Sequence, residues 1–474
     1  MDLIVGDIIQ GIVSDFGSDG EGVLKPDGYP VFVPFAIKGE EIRAHITYVK
    51  KDCAFGELVE VLSPSADRIK PLCPYFVKCC GCDLQHISQP LQLEIKRDCV
   101  KNALKKIAGL DIDVSLPVHL NDWEYRNKLS LPFAYNGRSK RVSLGFYEKR
   151  SHKVVPMKWC PLHGEWASKL IAAVTEWANE FQISVYDENT HKGLLRHVVA
   201  RMLDSLSLTI VINGVRLPKL QEFAQKLKTH FADFTIYLSE NMRADNVILG
   251  RDVKLVYGVE KKQNLGKFEA VVSPKSFLQV NNEVRDAIYD GAANALSDFD
   301  GDIVELYSGV GLLTAQLALR LPNATITSVE IEQSASRDAA ALMQSLGLSR
   351  VKCICDDAKK FISELPKPQA VSRQEELPDD IKNSPYYLGG MLDNVIKPRA
   401  LILDPPRRGC DREVLECAVG FERIVYISCN PQTLARDLKI LSDNYEVVSV
   451  QPYDMFPQTA NVETLVVLSQ KKHN

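Results

Sequence analysis

The sequence predicts an α/β protein whose C-terminal half forms a doubly wound parallel sheet, preceded by a small β-barrel and a central α+β region. Three observations lead to this prediction. Apolar strands alternate with helical segments from about residue 300 onward, short apolar runs alternate with turn residues before residue 60, and the two kinds of segment are mixed between these parts. A chain of 474 residues is also too long for one ordinary core. We predict domains at 1–62, 63–265 and 266–474.

Composition excludes several classes of protein. The chain is 45% hydrophobic and 25% charged, as is usual for globular proteins, and no run of eighteen apolar residues predicts a membrane span. A net charge of −4 argues against a surface that binds nucleic acid everywhere, although a local basic face remains possible. The N-terminus MDLIVGDIIQG lacks the basic start of a secretory signal, and twelve cysteines without such a signal suggest a reducing compartment. We therefore expect a cytoplasmic protein without membrane contact.

The first 60 residues read as a small β-barrel. Glycines and the Asp-Gly pairs at 19–20 and 27–28 separate strands of four to six residues. Barrels that bind oligonucleotides have this pattern, but so do purely structural ones.

A group of cysteines follows the barrel. Cys73, Cys79 and Cys82 form a C-x5-C-x2-C pattern with Cys80 as an additional thiol, and Cys160 is a remote fourth candidate. Structural zinc sites usually contain two C-x2-C pairs, whereas iron–sulfur sites accept uneven spacings and often place proline after a ligand, as in Cys73-Pro74. The pattern favours a [4Fe–4S] cluster and leaves zinc as the alternative.

The central region contains a basic, aromatic stretch. Nine Lys or Arg residues and a single acid lie between Arg126 and Lys158, interleaved with aromatic residues. Such strands suit a surface that follows phosphates and stacks unpaired bases, although a solvated hairpin would have the same composition.

The C-terminal region predicts a Rossmann-like sheet. Five apolar strands are each followed by a turn and a helix, so the residues at their carboxyl ends meet at one edge, where ligands bind. In chain order these residues are Gly309 with Gly311, then Glu330, Asp356 with Asp357, Asp404, and Cys429.

This edge suits a nucleoside cofactor. Glu330 follows the glycines by about twenty residues, where an acid can accept hydrogen bonds from ribose hydroxyls. The turn lacks the third glycine that a pyrophosphate site requires, and no P-loop lysine follows it. S-adenosylmethionine fits this pattern, with Asp357 near the adenine and Asp404 near the reacting centre. Each acid could instead be only a helix N-cap.

Cys429 lies between a strand and a helix, in the segment YISCNPQTL. A helix N-terminus favours a thiolate, although a free cysteine can also be simple apolar filling. A thiolate that adds to C6 of uracil makes C5 nucleophilic enough to accept a methyl group. A base must then remove the C5 proton, and Glu463 in FPQTANVETL is placed for that role.

Together these motifs resemble a known family, the bacterial RNA uracil-C5 methyltransferases, specifically the branch with a TRAM domain and an iron–sulfur cluster that modifies 23S ribosomal RNA. The matching segments are CPYFVKCCGC, WCP, EYRNK, SPKSFLQVN, ELYSGVG, VEI, LDPPRRG, SCNPQTLARDL and FPQTANVE.

The resemblance implies a role for each matching residue. The cluster ligands would be Cys73, Cys79, Cys82 and Cys160; S-adenosylmethionine would be bound by Gln279, Tyr307, Gly309, Glu330, Asp357 and Asp404; the nucleophile would be Cys429 and the base Glu463. The barrel would be a TRAM domain, related in shape to OB folds, that binds RNA together with the basic strands. We expect a monomer that produces 5-methyluridine.

Two alternatives stay open at this stage. The substrate could be the T-loop uridine of transfer RNA, or the protein could be a non-catalytic RNA-binding iron–sulfur protein. A cytosine-C5 methyltransferase is disfavoured because the segment DPPRR contains no cysteine. The polar, proline-rich segment 365–398 predicts a loop insertion.

Overall fold

The computed structural model describes residues 3–149, 151–299, 301–365 and 398–472, and these residues form three main β-sheets. The loop insertion predicted at 365–398 lies, apart from its two end residues, outside the described residues.

The N-terminal sheet has six strands in the order β1-β5-β6-β4-β3-β2. Apolar residues that alternate along β5 point inward, so Ile42, Ala44 and Ile46 are fully buried in the core of this sheet. The predicted turn at Asp27-Gly28 is part of a 3-10 turn with positive φ angles at both residues. The strands are β1 Ile8–Ile12, β2 Asp15–Phe16, β3 Gly22–Leu24, β4 Val31–Val33, β5 Glu41–Val49 and β6 Ala54–Ser63.

The central sheet has seven strands in the order β13-β12-β11-β10-β7-β8-β9. Helices α2 and α3 cover it, and the ring of Trp177 stacks on that of Phe223 between them, with centroids 4.5 Å apart. The strands are β7 Lys128–Asn136, β8 Arg141–Tyr147, β9 Val154–Pro156, β10 Leu195–Met202, β11 Leu206–Ile212, β12 Phe234–Glu240 and β13 Val253–Tyr257; the helices are α2 Glu165–Glu180 and α3 Leu220–Lys228. A short hairpin, β14 Gln263–Asn264 and β15 Glu269–Ala270, follows.

The C-terminal sheet has the order β18-β17-β16-β19-β20-β22-β21. Its first five strands are parallel, as predicted, and β22 and β21 complete it as antiparallel strands. The strands are β16 Asp302–Leu306, β17 Ile326–Glu330, β18 Val351–Cys355, β19 Pro398–Leu403, β20 Arg423–Ser428, β21 Tyr445–Tyr453 and β22 Glu463–Gln470. The helices are α4 Asn282–Ala295, α5 Leu312–Arg320, α6 Gln333–Ser345, α7 Ala358–Glu364, α8 Arg412–Cys417 and α9 Pro431–Leu441.

One helix of the predicted central domain contacts the C-terminal sheet. Helix α1 (Gln89–Ala103) continues as a π-helical turn to Ala108, and together they pack against α9 and β21. Apolar residues of α1, such as Val100, join the core around β20 and α9. Through this contact, the helix that follows the cysteines packs against the helix that begins next to Cys429. The predicted domain bounds stay a prediction.

Membrane-spanning segments were sought among the helices of the described residues. None of these helices has both the length and the apolar character needed to traverse a bilayer.

Candidate active site

Cys429 lies at the junction of β20 and α9. The strand ends at Ser428, and the Asn430 side chain caps the helix by accepting hydrogen bonds from the N–H groups of Gln432 (3.0 Å) and Thr433 (3.4 Å). The asparagine amide also donates to the carbonyl oxygen of Arg407, at 3.2 Å, so the DPPRR loop lies beside the cysteine.

The thiol of Cys429 is half-buried, and its pKa is raised to about 11. Burial is the main cause, the carboxyl groups of Glu463 and Asp404 add to it, and the Arg407 guanidinium opposes it. The helix N-terminus beside this thiol therefore does not outweigh burial and the two carboxyl groups, and the pKa stays above the ordinary value. The same electrostatic contacts show that the cysteine and both predicted acids share one site.

Glu463 is the first residue of β22. Ser428 pairs with Thr464 in the adjacent strand, which brings Glu463 beside Cys429. Its side chain is only 2% exposed, and its Oε2 atom has no hydrogen-bond partner among the described residues. Burial and the nearby Asp404 raise the pKa of this carboxyl well above its usual range. Glu463 is therefore a buried residue and not part of the protein surface.

Asp404 follows β19 and faces the same site. Burial is the main cause of its raised pKa, about 7, and the negative charge of Glu330 adds to it. Glu330 at the end of β17 accepts hydrogen bonds from the N–H groups of Gly309 (2.9 Å) and Glu332 (2.8 Å). These bonds fix the acid against the glycine turn.

The glycine turn between β16 and α5 needs left-handed backbone. Gly309 and Gly311 have φ angles of 56° and 77°, and Tyr307 before them has 65°. A Cβ atom on Gly311 would lie 2.9 Å from the Cβ atom of Ala339 on α6, so only glycine fits there. The side chain of Tyr307 contacts the thiol of Cys410 and lies near Asp357.

Gln279 belongs to a loop that passes the same turn. The carbonyl oxygen of Phe277 in this loop lies 4.0 Å from the position of a Cβ on Gly309. Asp338 of α6 anchors the loop, since its carboxylate accepts hydrogen bonds from the hydroxyls of Ser273 and Ser276, both at 2.8 Å. Gln279 itself is 8% exposed.

Asp357 is exposed and caps helix α7. Its Oδ1 atom accepts from the N–H groups of Lys359 (3.0 Å) and Lys360 (3.1 Å). The capping role that was the alternative for each acid is therefore present here.

The predicted cluster cysteines lie near one another. Cys73 and Cys160 are buried, Cys79 and Cys82 are half-buried, and Cys80 is exposed. Burial is the first cause of the raised pKa of Cys79, to about 12, and of Cys160, to about 11, and the neighbouring thiols raise both further. Among the described residues, however, no three metal-binding side chains are arranged closely enough to hold a single metal ion.

Two family models match the sequence. A model described as tRNA (uracil-5-)-methyltransferase matches residues 90–471, and a TRAM domain model matches residues 4–59. The chain belongs to the tRNA (uracil-5-)-methyltransferase family. It is therefore an RNA methyltransferase, and S-adenosylmethionine is its methyl donor. The predicted family, the Rossmann-like fold and the TRAM domain are confirmed.

Full-length relatives support this assignment. An RNA methyltransferase of Clostridium tetani is 34% identical over 470 residues, which cover 96% of this chain and 95% of the relative. One of Caldanaerobacter subterraneus is 35% identical over 478 residues, covering 98% and 99%. The solved structure of the Pyrococcus abyssi tRNA (uracil-54, C5)-methyltransferase in complex with S-adenosyl-L-homocysteine shares the fold, with a TM-score of 0.73, 24% identity and coverage of 97% and 99%.

Two residues of the methyltransferase site were missed from the sequence. Arg407, in the quoted segment LDPPRRG, opposes the rise in pKa of both Cys429 and Glu463. Glu305 is buried in β16, accepts a 2.6 Å hydrogen bond from Thr314 Oγ1, and has a pKa raised to about 8, mainly by burial. An acid within the apolar run DIVEL was the available signal.

Proposed function

We propose that this methyltransferase methylates C5 of a uridine in 23S ribosomal RNA through a covalent bond between Cys429 and C6 of the base. The observation that carries the proposal is that Cys429, Glu463 and Asp404 lie in one partly buried site, close enough for both carboxyl groups to raise the pKa of the thiol. These are the groups that covalent methylation of a pyrimidine needs.

The first half of the reaction makes C5 a nucleophile. The partly buried Cys429 gives its proton to solvent water, its Sγ atom forms a bond with C6, and the electrons of the C5–C6 double bond move to give an enolate at C4–O4. Arg407 favours this step because its charge stabilises the thiolate. C5 then takes the methyl group of S-adenosylmethionine, and S-adenosylhomocysteine is the by-product.

The second half releases the product. The Glu463 carboxylate takes the proton from C5, the electrons of the C–H bond restore the C5–C6 double bond, and Sγ leaves C6 as a thiolate. A base for this step must be shielded from water and free to accept a proton. The Oε2 atom of Glu463 is buried and has no partner among the described residues, and the Arg407 guanidinium favours the ionised form that can accept the proton.

We assign the methyl donor to the glycine turn and its neighbours. A sulfonium cation is favoured by a site where carboxyl groups lie close together, and here the negative charge of Glu330 adds to the raised pKa of Asp404. The proposed contact residues at the carboxyl ends of the parallel strands are Tyr307, Gly309, Glu330, Asp357 and Asp404, and Gln279 joins them from the loop that passes the glycine turn.

We assign a [4Fe–4S] cluster to Cys73, Cys79, Cys82 and Cys160. Backbone N–H groups two residues further on donate to three of these sulfurs, from Tyr75, Gly81 and Leu162. Such N–H···S bonds suit thiolate ligands.

The RNA surface is assigned to the TRAM domain and the basic strands β7 and β8. Tyr135 is 56% exposed and is available to stack on a base, whereas Phe133 is buried in the central core and is not. We propose a monomer, because a single chain supplies every residue of the site. Because ribosomal RNA is the proposed substrate, we place the enzyme in the cytoplasm.

The family description favours a second candidate, a uridine of transfer RNA. We prefer ribosomal RNA because the chain combines a TRAM domain with the four cysteines, as in the branch that it resembles. The third possibility, an RNA-binding protein without catalysis, is disfavoured by the complete set of reacting groups.

The test is methylation of unmodified RNA by the purified enzyme. Transcripts of 23S ribosomal RNA and of transfer RNA are incubated with S-adenosylmethionine, and 5-methyluridine is mapped by mass spectrometry. We expect the modified base in the ribosomal transcript alone. Modification of the transfer RNA alone would replace the proposed substrate, and no 5-methyluridine in either transcript would overturn the proposal.

A further inference from the structure

The turn before Glu463 is held by distant parts of the chain. This turn, residues 454–460, joins β21 to the segment leading into β22. It contains Gln458 in a left-handed conformation, with φ at 69°. A glutamine adopts that conformation only where its surroundings impose it. The backbone after Glu463 is therefore fixed by strand pairing in β22. The backbone before Glu463 depends on the contacts that hold this turn.

Two buried residues of α1 hold it. The Lys96 ammonium is fully buried, forms an ion pair with Asp454 and donates a 3.0 Å hydrogen bond to the carbonyl oxygen of Phe456. Gln92, which is 2% exposed, accepts a hydrogen bond from the Gln458 N–H at 3.2 Å and donates to the side-chain oxygen of Gln458 at 3.1 Å.

Other segments converge on the same turn. The N–H groups of Asp83 and Leu84, directly after the cysteine Cys82, both donate to the carbonyl oxygen of Gln458 at 3.0 Å. The Tyr125 hydroxyl donates to the carbonyl oxygen of Pro457, also at 3.0 Å. A lysine buried this completely has no route to RNA, so its role lies within the protein.

The Glu463 side chain depends on this support. Its Oε2 atom has no hydrogen-bond partner among the described residues, so no described side chain holds that oxygen in place. Because the side chain extends from a backbone that the turn holds, a shift of the turn also shifts the carboxyl group. Displacement of the turn would move Glu463, the proposed proton acceptor. It would not move Cys429, which follows the end of another strand, β20.

We propose that Lys96 and Gln92 are positioning residues for removal of the C5 proton, acting through the 454–460 turn on Glu463. The inference rests on the proposed function. The step concerned is transfer of the C5 proton to Glu463, with return of the electron pair to the C5–C6 bond and departure of Sγ from C6. Formation of the Cys429–C6 bond does not require it.

The test compares Lys96→Met and Gln92→Met with the parent enzyme on two RNAs. Asp454 keeps a partner in Lys96→Met, because His119 Nδ1 lies 2.9 Å from its Oδ2. Gln92→Met leaves the ion pair intact and carries the test alone should Lys96→Met not fold. Lys101→Met, an exposed lysine in the last turn of the same helix, is the matched control.

With 5-fluorouridine RNA there is no C5 proton to remove, so the covalent adduct should form at the parent rate in all variants. With uridine RNA, release of the methylated product should slow about 10- to 100-fold in Lys96→Met and Gln92→Met. The adduct that already contains the methyl group should accumulate on Cys429, so kcat and KM should fall together while kcat/KM stays within about twofold of the parent value. Lys101→Met should behave as the parent.

Two results would contradict this. Equal slowing of 5-fluorouridine adduct formation and of product release would show general damage and would overturn the positioning role alone. A parent enzyme that forms no adduct with 5-fluorouridine RNA would overturn the proposed function, and the positioning role with it.

Discussion

At the scale of single residues, the site is distinguished by carboxyl groups that are buried beside one another. Asp404 and Glu305 have pKa values raised to about 7 and about 8, and that of Glu463 is raised well above its usual range. Burial is the first cause in each case. A carboxyl group with a raised pKa stays protonated until a nearby cation stabilises its ionised form. The methyl donor of this family carries such a positive charge, and its product does not.

Binding of the methyl donor should therefore depend on pH. Asp404, with a pKa of about 7, is mostly neutral at pH 6 and mostly ionised at pH 8. The dissociation constant of S-adenosylmethionine should fall about tenfold over this range, because the ionised fraction changes by about that factor. Calorimetry measures this directly.

S-adenosylhomocysteine is the matched control ligand, because it has the same shape without the charge. Its dissociation constant should change less over the same pH range, and Asp404→Asn should remove most of the difference between the two ligands. Equal pH dependence for both ligands would contradict the proposed position of Asp404 at the sulfonium.

The sequence was sufficient to select the residues of this site, but it did not indicate their protonation states. The strand-end rule and the family motifs were enough to select Cys429, Glu463 and Asp404, which the structure brings into one site. Their pKa values depend on burial and on contacts between strands far apart in the chain. For this reason the helix N-terminus could not indicate that the free thiol is mostly protonated.

At the scale of elements, helix α6 holds the loop that contains Gln279 in place through hydrogen bonds. Asp338 accepts hydrogen bonds from the hydroxyls of Ser273 and Ser276 and from the Ser273 N–H at 3.0 Å. The loop also accepts a 2.9 Å hydrogen bond at the Ser276 carbonyl from Arg201 of the central sheet. Helix α6 and the central sheet therefore both hold this loop in place beside the glycine turn.

Asp338→Asn should loosen this loop and weaken binding of S-adenosylmethionine. Hydrogen bonds to a charged group contribute about 1.5–3 kcal/mol each, so a partial loss predicts about a tenfold higher dissociation constant. The neighbouring Arg337→Gln, on an exposed face of the same helix, is the control and should leave binding unchanged. An unchanged dissociation constant in Asp338→Asn would show that the loop does not contribute to the donor site.

Regular elements were the part of the fold most open to prediction. Apolar runs such as those of β16 and β20 predict buried strands, and Asn430-Pro431 predicts the start of a helix. The packing of α1 on α9 and the hydrogen bonds around the 454–460 turn could not be predicted. They join residues more than 300 positions apart, and no local pattern records such contacts.

At the scale of the whole molecule, a buried ion pair joins the TRAM domain to the segment that leads to the cysteines. Glu40 is fully buried and is paired by Arg68 through both carboxylate oxygens, at 2.5 and 2.6 Å. Although burial alone would raise it, the pKa of Glu40 is lowered by this pairing and by the N–H groups of Ile37 and Ser65. The pair therefore stabilises the fold above the ordinary pKa of a glutamate, and this stabilisation is lost as the pH falls through the lowered value.

Arg68→Met should destabilise the protein by about 3 kcal/mol at pH 7, because it leaves Glu40 buried without its cation. Urea denaturation measures the free energy of unfolding. Arg43→Met is the matched control, since Arg43 pairs with Glu60 on the surface of the same domain at 3.0 Å, and it should change stability by about 0.5 kcal/mol or less. Similar losses in the two variants would contradict the structural role given to the Glu40–Arg68 pair.

The central claim is that Cys429 bonds to the target base, and the most direct measurement is peptide mapping of the enzyme after reaction with 5-fluorouridine RNA and S-adenosylmethionine. The account predicts a methylated nucleotide attached to the peptide that contains Cys429, and no adduct in Cys429→Ala. An adduct on another of the twelve cysteines, or none on the parent enzyme, would contradict it.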